Sequence, residues 1–387
     1  MMAGSSDPLS PETLAGLVCD LVRIPSVNPS LAPSEGTGEE RIAAFARDWL
    51  QAHGVEAWPE GPRPERPNAV GRVGSGGRTL VLCAHLDTVG TDGMAEPPFE
   101  PRMEGDRIHG RGSYDMKGSV AAVMAAMAAL RQEALSGTVL AALVADEEHG
   151  SIGALDFTGR HPADACIVTE PSEGVLVLAH KGFVWVRVET VGRAAHGSRP
   201  DLGVSAIGKM ARIIEALETF DREELRRRVH PLAGAASMHC AVIAGGTSPS
   251  IYAHECRLEV ERRTIPGETP GQVRHELETI VRAIDSNASV TCYFDRAPLV
   301  CPGDSDIANC LRDAARRVTG RVPPDGGVGY WMDAALFAQA GVPTVSYGPT
   351  GAGAHGAVEW VSLSSVVDTA NVLVETARVF CGRRSGA

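Results

Sequence analysis

The sequence predicts an α/β protein in which a larger domain with a mostly parallel sheet carries an inserted ferredoxin-like (βαββαβ) domain. Apolar strand-like runs alternate with helical stretches over residues 1–181 and again over 296–387, the pattern of βαβ units. Residues 182–295 instead read strand, helix, strand, strand, helix, strand, which is the ferredoxin-like order. At 387 residues the chain also exceeds one ordinary core, so two domains are expected.

In chain order, Ser10 is placed to cap a first helix over Pro11 to Val22, with Pro11 at the first helical position. A second helix, about Gly38 to Ala52, presents Ile42, Phe45, Trp49 and Leu50 at helical spacing and stops at His53-Gly54. The Pro-rich stretch Pro59 to Pro67 reads as loop. Strands are expected at Asn68 to Val73, Thr79 to His85, Gly137 to Ala145 and Ala163 to Thr169, with an apolar helix over Lys117 to Gln132. In the smaller domain, Phe183 to Val191, Met238 to Ala244, Cys256 to Thr264 and Ser289 to Phe294 read as strands. Ser205 to Thr219 and Pro270 to Ile284 read as helices. After Pro302 come helices at Asp306 to Thr319, about Asp333 to Gln339 and Ser364 to Phe380, and a strand at Thr344 to Tyr347.

Composition narrows the function classes. A 44% hydrophobic content is that of a soluble globular protein. A net charge of -12 with no basic stripe or tail argues against a nucleic-acid or anionic-membrane partner. No run approaches the ~20 apolar residues of a membrane span, and the first residues lack a signal-peptide pattern, so a cytoplasmic location is expected. The nine cysteines are scattered singly without any Cys-x-x-Cys pair, which points to reduced packing residues.

Charged groups at the ends of apolar runs, or in glycine-rich loops, carry the functional signal. They are His85-Leu86-Asp87, Asp115 within Gly110 to Gly118, Glu147-Glu148, Glu170 and His355. Two divalent cations held close together need a bridging carboxylate and about two further nitrogen or oxygen ligands each. His85, Asp115 and Glu170 could hold one zinc, and Asp115, Glu148 and His355 the other. Asp87, on the same strand face as His85, could accept its second imidazole N–H, and Glu147 remains to serve as general base.

In order along nearly the whole chain, His-Leu-Asp-Thr-Val, Gly-Arg-Gly-x-x-Asp-Met-Lys-Gly, the glutamate pair, Thr-Glu-Pro and Gly-Pro-x-x-x-x-Ala-His match one family's motifs. The chain is similar to the zinc-dependent peptidases and deacylases that include acetylornithine deacetylase, succinyl-diaminopimelate desuccinylase, aminoacylases and glutamate carboxypeptidases. The resemblance implies the same assignment: His85, Asp115, Glu148, Glu170 and His355 as ligands of two Zn2+ (Co2+ or Mn2+ as substitutes), Asp87 as orienter and Glu147 as base. It also implies an inserted lid that mediates homodimerisation, with His196 of Gly192 to Pro200 reaching a partner's site to steady the oxyanion. Arg263 would clamp the substrate carboxylate, with Gly351 and Gly353 offering backbone N–H groups. The chain departs from the family pattern at Gly90, Ser250 and Ala253.

These readings converge on a di-zinc amidohydrolase cleaving N-acyl-L-amino acids. The alternatives are a dipeptidase or carboxypeptidase acting on short peptides with the same chemistry, and a non-catalytic binding homologue. Gly203 to Lys209 imitates a phosphate loop, but Met210 stands where a hydroxyl should bind magnesium.

Overall fold

The computed structural model describes residues 7–382. The chain divides into two compact units. The smaller comprises Ala179–Val300 and Gly327–Trp331, and the larger holds the other described residues. Gly327–Trp331 lies outside the segment 182–295 expected for the smaller domain.

In the larger unit the sheet runs Glu56–Glu60, Asn68–Gly74, Thr138–Val144, Thr79–His85, Ala165–Val168, Thr344–Ser346, Leu176–His180. Its centre is parallel: Thr79–His85 lies between Thr138–Val144 and Ala165–Val168, which in turn pairs with Thr344–Ser346. The first two strands join antiparallel, as does Leu176–His180. Because the three central strands point the same way, the residues that follow them leave the sheet at one edge. His85, Glu147-Glu148 and Glu170 all lie there, the edge at which open α/β sheets collect their functional groups.

Helix Gly118–Leu130 is buried on every side, and Ala121, Ala122, Ala125, Ala126 and Ala128 let Pro11–Val22 and Leu363–Cys381 approach it closely. Pro11–Val22 starts as expected, with Ser10 Oγ accepting the Thr13 N–H at 3.2 Å.

The smaller unit has an all-antiparallel sheet in the order Ser237–Gly245, Glu255–Thr264, Gly182–Val191, Ser289–Arg296. Helices Ala206–Glu223 and Pro270–Ile284 cover one face. Val184, Val186, Val188, Leu258 and Val260 from the sheet meet Met210, Ile213, Leu217, Leu277 and Val281 from the helices. The strict alternation of Gly182–Val191 sends Phe183, Trp185, Arg187 and Glu189 to the opposite face.

Several elements differ from the sequence expectation. Pro59 and Glu60 belong to the strand Glu56–Glu60 and not to a loop; this strand is the edge of the sheet, where proline's missing N–H costs no ladder bond. Helix Ile152–Arg160 and strand Leu176–His180 were not anticipated. Nor was a small sheet of two- and three-residue strands that joins Arg102–Glu104, Arg107–His109, Trp360–Ser362 and Gly351–Ala352. Strands this short carry no period to read. All nine cysteines are free thiols, and no helix among the described residues is long and apolar enough to cross a membrane.

Candidate metal centre

Asp115 sits in a single irregular turn ahead of the buried helix Gly118–Leu130, with extended backbone (φ -119°, ψ 91°). Its carboxylate is shared. Oδ1 lies 3.0 Å from His85 Nε2, and Oδ2 lies 3.3 Å from His355 Nε2. Glu170 Oε1 stands 3.7 Å from His85 Nε2, while Glu148 Oε2 stands 3.1 Å from His355 Nε2. The five residues therefore form two nitrogen-and-oxygen donor groups hinged on one carboxylate, a set suited to divalent cations. Glu148 Oε1 is buried without a hydrogen-bond partner, an orphan that a cation would satisfy. Ligand atoms of His85, Asp115 and Glu148 all fall within 4.8 Å of one another, as do those of His85, Glu147 and Glu170. Glu147 thus stands as close to the first donor group as a ligand would.

The charges of this cluster are strongly coupled to burial. Burial pushes Glu147 well above the carboxylate range, reinforced by Glu170, and pushes Glu170 up to about 8. Burial works against a charged His85, yet Glu170 and Asp115 together raise it well above an ordinary histidine. His355 is pushed up to about 10 by its hydrogen bonds to Asp115 and Glu148. Burial opposes the Asp115 charge, but the two histidines outweigh it and hold the carboxyl well below its usual range. Crowded carboxylates that raise one another are the electrostatic state a cation pair would relieve.

Asp87 reaches His85 differently from the sequence expectation. Its main-chain carbonyl is 2.9 Å from His85 Nδ1, whereas its carboxylate is 3.7 Å away. The Asp87 carboxylate instead accepts the main-chain N–H groups of Glu147 (3.0 Å) and Glu148 (3.1 Å), so it sets the turn that aims both glutamates. It also accepts Asn28 Nδ2 at 2.7 Å, which reaches Asp146 Oδ1 at 3.0 Å. Arg66 pairs with Asp146 at 2.9 Å and with Glu39, and all three side chains are buried. This network holds Asp146 at φ 71°, a left-handed conformation that a non-glycine residue keeps only where its surroundings fix it.

A second anchor lies across the site. Glu359 accepts the N–H groups of Gly112 (2.9 Å), Tyr114 (3.1 Å) and Asp115 (3.0 Å), and Arg111 Nη1 at 2.7 Å. Arg111 donates onward to the carbonyls of Gly90 at 3.0 Å and Gly356 at 3.3 Å. One buried pair thereby ties together the loops carrying Asp115 and His355. Sequence reasoning missed Asn28, Glu39, Arg66, Arg111, Asp146 and Glu359. Arg111 and Asp146 do lie inside motifs that were read, and that position was the only available signal.

Of the remaining anticipated residues, Gly351 already donates its N–H to Glu173 at 3.3 Å and so does not present it to a substrate. Gly353 has φ 85° and turns the chain before His355. His196 and Arg263 belong to the smaller unit. His196 is exposed, with Nδ1 2.7 Å from Ser198 Oγ. Arg263 pairs through Nε with Glu261 at 3.1 Å.

A parallel-centred α/β sheet with nitrogen and carboxylate donors hinged on one aspartate offers the donor chemistry of a divalent-metal site. The chain belongs to Peptidase family M20/M25/M40, whose model matches residues 81–379. It is 31% identical to an acetylornithine deacetylase of Myxococcus xanthus over 81% of this chain and 83% of the relative. An acetylornithine deacetylase of Edwardsiella ictaluri is 28% identical over 94% of this chain and 97% of its own. Among solved structures, a Staphylococcus aureus tripeptidase superposes with a TM-score of 0.78 at 21% identity, covering 96% of this chain and 99% of that one. A dinuclear metal binding peptidase of the family from Bacillus subtilis gives 0.76 at 16% identity, covering 96% and 98%. The protein is an amide-bond hydrolase of this metal-dependent family.

Proposed function

We propose that the protein is a di-zinc deacylase that cleaves the amide of an N-acyl-L-amino acid to a carboxylate and a free amino acid. The observation that carries this reading is the division of the Asp115 carboxylate between His85 and His355. His85, Asp115 and Glu170 would hold one cation, and Asp115, Glu148 and His355 the other. When bound, the pair supplies Lewis acidity to the amide carbonyl and lowers the pKa of the attacking water toward ~7.

The chain's own groups do the rest. Glu147 takes the water proton and returns it to the leaving nitrogen, a role that its elevated proton affinity suits. Asp87 orients His85 through its carbonyl and the two glutamates through its carboxylate. His196 steadies the oxyanion and Arg263 takes the substrate carboxylate. The smaller unit serves as lid and as the homodimer contact. Its edge strand Ser237–Gly245 supports this, with Val242 and Ile243 57% and 54% exposed beside an unpaired ladder. The deacetylase relatives support an acyl-amino-acid substrate.

The test is hydrolysis by zinc-loaded protein of matched N-acetyl, N-succinyl and dipeptide substrates. Preference for an acylated amino acid supports the deacylase reading, while preference for dipeptides moves the protein to the peptidase side of its family.

A further inference from the structure

A cavity of about 340 Å³ opens in the larger unit, between the end of helix Asp306–Thr319, the first turns of helix Leu363–Cys381 and the loops at Glu173 and Tyr347. None of the five expected metal ligands lines it, and its volume suits a small molecule. Most of its hydroxyls are already used. Thr319 Oγ1 donates to Ala315 O, Ser365 Oγ to Ser362 O and Thr369 Oγ1 to Ser365 O, each at 2.8 Å.

Three polar groups are left over. Among the described residues, the Tyr347 hydroxyl, the Asp368 carboxylate and the Arg321 guanidinium have no hydrogen-bond or ion-pair partner. Tyr347 is only 5% exposed, and a buried phenol ordinarily finds a partner. Arg321 contrasts with Arg312 and Arg317 on the helix before it, which pair with Asp325 and Glu375 at 2.8 Å. An acid, a hydroxyl and a guanidinium around one small cavity complement an ammonium and a carboxylate carried on the same molecule. Asp368 and the Tyr347 oxygen would accept from the ammonium, and Arg321 would donate to the carboxylate. Ala315 and Pro323 offer an apolar wall to a side chain. An N-acylated amino acid has no ammonium and would leave Asp368 unpaired, so the set distinguishes a free amino acid from its acylated form.

The cavity also touches the loops that carry metal donors. Glu173, which lines it, accepts the Tyr114 hydroxyl and, at 3.3 Å, the Gly351 N–H. Tyr114 immediately precedes Asp115, and Gly351 lies four residues ahead of His355. An ammonium in the cavity would compete for that carboxylate and loosen both loops, which couples the two places. We propose that the cavity is a second site, for a free aliphatic α-amino acid, through which released product lowers turnover at the metal centre. The inference rests on the deacylase reading in taking a free amino acid to be the product.

The test uses the zinc-loaded full chain with L-alanine, L-valine and L-leucine as probes. Besides any binding at the metal centre, calorimetry should show a component that Asp368→Asn weakens about tenfold and Tyr347→Phe about fivefold. N-acetyl-L-leucine should show no component that either variant changes. Added amino acid should lower kcat for N-acyl amino acid hydrolysis about twofold or more in the wild type, beyond any competitive rise in KM, and leave it unmoved in Asp368→Asn. Without added amino acid the two proteins should turn over equally. Absence of binding by all three probes, binding indifferent to both variants, or a wild-type kcat that added amino acid does not change overturns the proposal. Asp368-dependent binding to a protein that hydrolyses no N-acyl amino acid overturns the deacylase reading and keeps the cavity as an amino-acid site.

Discussion

Arg111 and Glu359 form an ion pair of 2.7 Å in which neither side chain is more than 2% exposed. A buried pair gains little against an apolar replacement, but removing one partner strands a charge. Here the pair also fixes the Asp115 backbone and, through Gly356, the loop that follows His355. Glu359→Gln should lower zinc content below two per chain and destabilise folding by about 3–5 kcal/mol. Metal analysis and denaturant titration read the two effects separately; two tightly held zincs would show that Asp115 and His355 keep their places without the tie.

Glu147 and Glu148 are neighbours with different partners. Glu148 meets His355, whereas Glu147 faces the His85 and Glu170 side. Glu147→Gln should cut kcat by about 10²- to 10⁴-fold while both zincs remain. Glu148→Ala or His355→Ala should instead lose metal. Loss of metal in Glu147→Gln would reassign that glutamate as a ligand.

Without metal, His355 at about 10 and Glu170 at about 8 both carry a proton at pH 7. Coordination requires both protons to leave, so zinc binding should release at least one proton per chain and weaken as pH falls. Calorimetry in buffers of different ionisation heat measures the number; zero or net uptake would contradict the proton positions. The same groups set the stability of the metal-free protein. Their folded pKa values lie above the unfolded ones, so the stabilisation is present below the unfolded values and lost as pH rises. The midpoint of thermal unfolding should therefore drop between pH 7 and 10 for the metal-free form, and less for the zinc form.

Arg66 neutralises two buried carboxylates at once, Glu39 and Asp146. Arg66→Met should cost about 3–5 kcal/mol of stability, and adding Glu39→Gln should recover part of it. Urea unfolding of the single and double variants checks this; additive losses would mean that the network is not one unit.

The expected ligand positions stood out because His85 ends an apolar strand, Glu148 and Glu170 follow two others, Asp115 precedes an apolar helix and His355 lies in a glycine-rich turn. The groups that hold them did not. Arg66 lies in a stretch read as featureless loop, Glu39 at an unmarked helix start, and Glu359 four residues beyond His355, just ahead of a strand too short for a period. Their roles depend on pairing over separations of 27 residues for Arg66 with Glu39 and 248 for Arg111 with Glu359. Pattern within a window of one helix or strand cannot register such distances. The regular elements of the smaller unit were read almost to the residue, since each alternates or repeats over many positions. Asp87 was expected to meet His85 through its carboxylate, whereas its main-chain carbonyl makes the closer approach.

The order of the donors along the chain bears on how the protein is made. His85, Asp115, Glu148 and Glu170 all precede the smaller unit, whereas His355 and its anchor Glu359 follow it. During synthesis, the four earlier groups emerge as three carboxylates around one imidazole, with the second half of the centre still untranslated. Domains fold in the order in which they leave the ribosome, so this cluster must wait for nearly the whole chain before its charges are balanced. A product truncated before His355 would keep much of the parallel sheet yet lack the imidazole that faces Asp115 and Glu148.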